Sequence, residues 1–359
     1  MPRRRRWLTV TVAAVAGVSV IGVAALPSPY VIDGPGPVFN TIGQTEVTQD
    51  DGSTQEEDVI QVDGLPTYET SGSLNMLTVS QWGTPSDLPS ALQVLQAWID
   101  PTMTVVPLDQ AYPPGTTTES EAEANSQAMT ASQQSAAAAA FTYLGYEVTP
   151  HLQVVSVQED SDANGVLEPG DVIETINGQQ VSTVDEVLAE AEDASAENPL
   201  VIEFQRDGVA HTAEVVPVTG DDEVNRIGVS VTSIYDDLPA DVTITLEDVG
   251  GPSAGMMFAL GVIDTLTPGE LTGGHTISGT GTITADGTVG AIGGIRQKMV
   301  AADEAGTELF LAPSENCSDV VGNIPDGLTV VSVSTLTDAV DAIETFTQTG
   351  SAAGLATCS

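Results

Sequence analysis

Gly250-Gly251-Pro252-Ser253-Ala254-Gly255-Met256-Met257-Phe258-Ala259-Leu260-Gly261-Val262-Ile263-Asp264-Thr265-Leu266 sets one serine between a Gly-Pro pair and a long apolar run. The proline in the first turn and the apolar run after it predict a buried helix with Ser253 at its N-terminus. There the backbone N–H groups of Ser253 and Ala254, and the positive end of the helix dipole, lie beside the hydroxyl, as stabilisation of an oxyanion requires. A serine so placed also serves as a plain N-cap. A second chemical group is needed to single it out.

That group lies 45 residues downstream, in Gly294-Ile295-Arg296-Gln297-Lys298-Met299-Val300-Ala301-Ala302-Asp303-Glu304-Ala305-Gly306. Lys298 is the only lysine of a 359-residue chain that carries 51 acidic side chains. Helix formers run up to a glycine stop, and a period of 3.6 puts Lys298 on one face with Ile295, Ala302 and Ala305. An amine on an apolar stripe loses hydration and its pKa falls, so it can accept a proton, whereas guanidinium stays charged. The alternative is an amine that snorkels to water from the stripe's edge. Combined with Ser253, the buried reading makes Lys298 the general base of a serine nucleophile.

Gly251-Pro252-Ser253-Ala254-Gly255, Gly279-Thr280-Gly281, Gly290-Ala291-Ile292-Gly293-Gly294-Ile295-Arg296-Gln297-Lys298 and Ala312-Pro313-Ser314-Glu315-Asn316 together resemble the proteolytic domain of Lon proteases. The resemblance implies that Ser253 is the nucleophile, Lys298 its general base, and Thr280 the threonine that orients the lysine. Many such domains have an acidic residue three positions before the serine, and here that position is Gly250. Glu247 and Asp248 are close in sequence, but a two-residue dyad is the better-supported reading.

Competing chemistries find little support. His151, His211 and His275 are the only histidines, and none sits in a His-Glu-X-X-His or Cys-X-X-Cys setting, so no metal is expected. His275 lies between the serine helix and Thr280 and is either a site residue or an ordinary strand histidine. A phosphate-binding loop needs a lysine directly after a glycine, whereas Lys298 follows Gln297. ATP use, and any other cofactor, is therefore not expected. With the acidic residues all after Leu26 and only Arg206, Arg226, Arg296 and Lys298 against them, nucleic acid is excluded as a partner. Such charge also fits a protein kept soluble at high ionic strength.

Arg3 to Arg6 precede an uncharged stretch from Trp7 to Leu26, long enough to cross a roughly 30 Å hydrocarbon core. The expectation is a retained single-pass anchor over residues 1–26, in preference to a signal peptide cleaved near Gly22-Val23-Ala24, with the remainder extracytoplasmic at the plasma membrane. Cys317 and Cys358, the only cysteines, are candidates for a disulfide in such a compartment.

In the middle of the chain, Thr142-Tyr143-Leu144-Gly145-Tyr146 is followed by a strand at Leu152–Val157. Then come Leu167-Glu168-Pro169-Gly170-Asp171-Val172-Ile173-Glu174-Thr175-Ile176-Asn177-Gly178, a helix from about Val184 to Ala194 and a strand from Leu200 to Gln205. This resembles a PDZ domain, and implies a β-rich module that binds an extended peptide end at a sheet edge. On that resemblance Leu144, Gly145 and Tyr146 form the carboxylate-binding loop, and Val184 and Leu188 line the groove. A structural spacer is the alternative.

Residues 33–70 read as polar and turn-rich, Leu74 to Ser80 as a strand and Ala91 to Ile99 as a helix stopped at Asp100-Pro101. Pro107 to Asn125 reads as a loop and Ser126 to Tyr143 as an alanine-rich helix. The expected fold is α+β: the transmembrane helix, an N-terminal extracytoplasmic segment 27–141 that is a candidate part of the proteolytic domain, a PDZ module over 142–220, a Lon-type α/β domain over 221–348 and a tail over 349–359.

The order of these parts resembles the secreted PDZ-Lon family of bacteria, often called YlbL-type. It implies an ATP-independent, membrane-anchored serine endopeptidase acting on unfolded or C-terminally exposed exported proteins and peptides, with assembly into a homo-oligomeric ring as one arrangement. A catalytically silent PDZ adaptor or holdase is the alternative. C-terminal processing peptidases also join PDZ to Ser-Lys chemistry, but the serine and lysine contexts follow the Lon pattern.

Overall fold

The structure, a computed structural model, describes residues 25–48, 52–113, 115–220, 224–246 and 249–358. Its larger sheet runs in the order Val330–Val333, Leu309–Pro313, Thr276–Gly279, Ser73–Trp82, Tyr30–Asn40, Thr104–Pro107. The first four strands are parallel and the last two antiparallel to their neighbours. Leu309–Pro313 is buried at every position, as a parallel strand covered on both faces must be. Ser73–Trp82 is different: Ser73 to Met76 pair with Thr276–Gly279, but Leu77 to Trp82 have no described strand on that side. Half of this strand therefore presents an open edge.

Helix Gly255–Leu266 lies in the main core, with every residue from Gly255 to Asp264 buried. Beside it packs a 26-residue helix, Thr118–Tyr143, whose alanines Ala136 to Ala140 let the two backbones approach. A capping box between Thr117 and Ser120 starts that helix, eight residues before the expected Ser126, in a stretch read from sequence as loop. Residues 33–70, read as turn-rich, contain the strands Gln44–Thr48, Thr54–Asp58 and Ile60–Asp63 and most of Tyr30–Asn40. In Thr54–Asp58, an exposed and acidic face hides the alternation that marks a strand. Ala91–Ile99 is helical as expected, capped by Ser90 and Gln93.

A second, wholly antiparallel sheet has the order Val209–Val215, Leu200–Arg206, Val172–Ile176, His151–Val157, Val229–Ile234, and Gln179–Gln180 pairs with Val172–Ile176. Its apolar face and helix Val184–Ala191 enclose a separate core that includes Leu152, Ile173, Ile202 and Phe204. Cys317 and Cys358 are joined in a disulfide that ties the C-terminal tail to the first domain.

The expected fold class and localisation require correction. The architecture is mixed α/β, and no helix among the described residues is long and apolar enough to cross a membrane. Of the expected span, Trp7 to Ala24 lies outside the described residues, and Ala25 and Leu26 sit in a turn. The expected single-pass plasma-membrane anchor, and the localisation built on it, find no support among the described residues.

Candidate active site

Ser253 occupies the turn before helix Gly255–Leu266, with Ala254 as N-cap. Two sets of contacts hold this turn. From the long helix, Asn125 O accepts from the Gly251 N–H at 2.9 Å and Ser132 Oγ donates to Pro252 O at 3.0 Å. From the sheet side, Ser253 O accepts from Gly281 N–H and from Thr280 Oγ1, each at 2.9 Å. Gly255 is required at this junction: a Cβ there would lie 2.8 Å from Ile283 Cγ2 and 2.9 Å from Ser132 Oγ. Among the described residues no acceptor meets the backbone N–H of Ser253 or Ala254.

Lys298 arrives from helix Ile295–Glu304. Gly294, at φ 69°, starts that helix in the left-handed region, and a Cβ at this position would press on Val79 Cγ2 at 2.5 Å. Lys298 is 2 % exposed, and its Nζ lies 2.7 Å from Ser253 Oγ and 2.9 Å from Thr280 Oγ1. Thr280 is itself fully buried. Its single hydroxyl hydrogen goes to Ser253 O, so toward Lys298 its oxygen acts as acceptor. Burial pushes the Lys298 ammonium down to about 8. A neutral amine held this way keeps its lone pair for the serine hydroxyl.

Both side chains open into a cleft of about 620 Å³. Its walls include Phe39, Met76 and Met129 beside Ser253, and Thr78 to Gln81 along the open strand edge. His275 is not brought to the site. It lies before the start of strand Thr276–Gly279, whereas Thr280 follows its end, and it pairs with Glu308 at 2.9 Å and packs on Phe346. Glu247 and Asp248 lie outside the described residues. His151, Asp236 and Asp237 bring three potential metal-ligating atoms within 4.8 Å of one another, but both carboxylates are exposed.

The expected peptide groove is only partly assembled. The N–H groups of Leu144, Gly145 and Tyr146 all bond back to the preceding helix, at Ala140 O, Thr142 O and Phe141 O. The Leu144 and Tyr146 side chains line a cavity with Leu65, Pro66, Tyr68 and Leu266 of the first domain, rather than facing Val184 and Leu188. Val184 is exposed and Leu188 half-buried on helix Val184–Ala191. Val229–Ile234 is one of the sheet's two edge strands, Val209–Val215 being the other, and just before it the N–H groups of Ile227 and Gly228, both buried, meet no acceptor among the described residues. Asn225 Nδ2 donates to the carbonyls of Ala191, Glu192 and Ala194, which joins the start of this strand to the end of the helix. Ile227-Gly228-Val229, outside the expected module, repeats the apolar-Gly-apolar pattern of Leu144-Gly145-Tyr146.

Comparison with known proteins defines the class of each half. Residues 244–345 match the Lon protease (S16) C-terminal proteolytic domain, and residues 129–216 match the PDZ domain family. The chain thus carries a proteolytic domain of the serine-peptidase class joined to a PDZ domain. The PDZ match begins inside the long helix and ends before strand Val229–Ile234.

Among individual relatives, a Lon protease of Clostridioides difficile is 42% identical over 78 residues, 22% of this chain and 10% of its own length. Lon protease 2 of Bacillus subtilis is 32% identical over 95 residues, 26% of this chain and 17% of its own. The matched part therefore spans 10% to 17% of the length of these relatives. A PDZ domain of an SdrC-like protein from Listeria monocytogenes is 23% identical, with 26% of this chain and 98% of that one covered, at a TM-score of 0.23.

Proposed function

We propose that this chain is an ATP-independent serine endopeptidase working through a Ser253–Lys298 dyad, with its PDZ domain binding exposed peptide ends. The observation that carries the reading is the 2.7 Å contact between the serine hydroxyl and a lysine that burial has emptied of water. Neutral Lys298 takes the Ser253 proton as Oγ attacks a peptide carbonyl, and the unpaired N–H groups of Ser253 and Ala254 receive the oxyanion. Lys298 then gives the proton to the leaving amine and activates the water that cleaves the acyl-enzyme. Substrate backbone adds in extended form along the open edge of Leu77 to Trp82. No part of this requires a nucleotide.

In the PDZ domain, the free N–H groups of Ile227 and Gly228 take the peptide's terminal carboxylate, and Val184 and Leu188 take its apolar side chains. The test is hydrolysis of an unfolded protein by the parent, Ser253→Ala and Lys298→Arg. Abolition in both variants is expected. Undiminished cleavage by either ends the dyad, and a parent that binds C-terminal peptides but cleaves nothing is an adaptor.

A further inference from the structure

Just two ionisable side chains line the cleft among the described residues: Lys298 and Asp33. Asp33 belongs to strand Tyr30–Asn40 and stands opposite Gln81 in the antiparallel pair with Ser73–Trp82. It is half-buried, and its one side-chain partner is neutral and distant, Gln81 Nε2 at 3.3 Å. Gln81 does not move freely to improve that bond, because Tyr112 donates its hydroxyl to Gln81 Oε1 at 2.9 Å. A carboxylate offers about four acceptor positions, so most of the Asp33 capacity faces the cleft unpaired. Partial desolvation without a cation holds its carboxyl above the usual range. A positive group arriving in the cleft relieves that cost.

Register gives the distance. Gly279 pairs with Met76, and Thr280, which follows Gly279, touches both Ser253 and Lys298, so Met76 marks the level of the dyad. Gln81 is five residues further along the same strand, ~17 Å at the rise of an extended chain. A peptide paired to the open edge advances at the same rise.

We infer that Asp33 is a specificity-determining residue: it selects substrates with a lysine or arginine about five residues from the cleaved bond. The inference rests on the proposed peptidase reading and on the strand-edge mode of binding. It assigns the basic residue to a remote subsite, since Asp33 is the one acidic side chain lining the cleft among the described residues and lies at the level of Gln81 rather than of the dyad.

The experiment is a set of otherwise neutral peptides with one scissile bond, in which a single lysine is moved through every position on both sides of it. Kinetics are measured for the parent, Asp33→Asn and Asp33→Lys. The expected result is one register with kcat/KM raised about tenfold, as a charge-assisted pair provides, and loss of that gain in Asp33→Asn. Asp33→Lys should transfer the preference to glutamate at the same register, a gain that only a folded variant can show. A flat scan by an active enzyme overturns the inference and leaves the peptidase reading standing. So does an equal rise at every position, which reports only attraction to a chain of net charge −43, or a preference that survives in Asp33→Asn. If the parent cleaves none of the peptides and no unfolded protein, the peptidase reading fails and the inference with it.

Discussion

Thr280 Oγ1 stands 2.9 Å from Lys298 Nζ and 2.9 Å from Ser253 O, so one buried hydroxyl joins the backbone of the nucleophile to the head of its base. The directions of these bonds make Thr280 a positioning residue. Thr280→Val keeps the shape and removes both bonds, leaving the amine free to rotate away from Ser253. A fall in kcat of at least about tenfold with little change in KM is expected, the scale of a disturbed general base. Thr280→Ser should recover most of it. A valine variant as active as the parent would show that packing alone orients the lysine.

The pKa of Lys298 sets the pH profile. With the amine depressed to about 8 by burial, the base form gains population as pH rises through that value. Below it, kcat/KM for a neutral peptide should fall tenfold per pH unit, and above it should level off. A profile flat from pH 6 to 9 would exclude an amine base with this pKa.

The same burial affects stability, with a sign that can be worked out. The folded state releases the Lys298 proton near 8 and the unfolded state near the ordinary 10.5, so between these values the unfolded chain binds more protons and stability rises with pH. Below about 8 the cost is fully present, on the order of 3 kcal/mol by linkage. Lys298→Met should therefore be inactive yet more stable than the parent at pH 7, with the difference shrinking toward pH 10. Denaturant unfolding of both proteins across that range measures it. Equal stability at pH 7 would mean that the amine is better solvated than its burial implies.

Ser253, Thr280 and Lys298 were legible because their chemistry sits in short contiguous signals: a proline before an apolar run, glycines at fixed spacing and a lone lysine on an apolar stripe. Strand Ser73–Trp82 was legible over Leu74 to Ser80, and helix Ala91–Ile99 was legible from its stop at Asp100-Pro101. Strands such as Thr54–Asp58 were not, since four of its five residues are exposed and carry no apolar period. The proposed groove rests on more distant information. Leu144-Gly145-Tyr146 and Ile227-Gly228-Val229 are local equals, and only the pairing of Val229–Ile234 with His151–Val157, across more than seventy residues of chain, puts the second beside an edge strand. Asp33 was invisible because its role depends on register with Gln81.

The disulfide fastens the C-terminal tail beside a segment that is bonded to the approach of the lysine helix. Cys317 follows Asn316, whose side chain exchanges two 2.9 Å bonds with the backbone of Ile292, shortly before the lysine helix. The bridge closes a loop of 41 residues of separation, which in the chain-entropy model stabilises by about 4 kcal/mol. Cys317→Ser with Cys358→Ser should lower Tm by on the order of 10 °C while leaving kcat at 25 °C nearly intact. A double variant as stable as the parent would assign the tail's attachment to packing and to the Ser332 N–H bond to Ala356 O.

The two halves should separate functionally. Leu188→Asp puts a charge on the outer face of helix Val184–Ala191 without touching Ser253 or the core residue Val187. If Ile227 and Gly228 receive a peptide carboxylate there, this variant should bind a C-terminal apolar peptide at least about tenfold more weakly, since an aspartate would be desolvated beside an apolar side chain. Amidation of that peptide should weaken parent binding by a similar factor, because the N–H groups then face a neutral terminus. Turnover of short internal peptides should be unchanged in both cases. Gly145→Asn provides the control: Gly145 sits at φ 87° with its N–H already bonded to Thr142 O, and asparagine is among the residues that best tolerate such a backbone, so peptide affinity should stay intact. Loss of affinity in a folded Gly145→Asn with none in Leu188→Asp would return the carboxylate site to Leu144-Gly145-Tyr146.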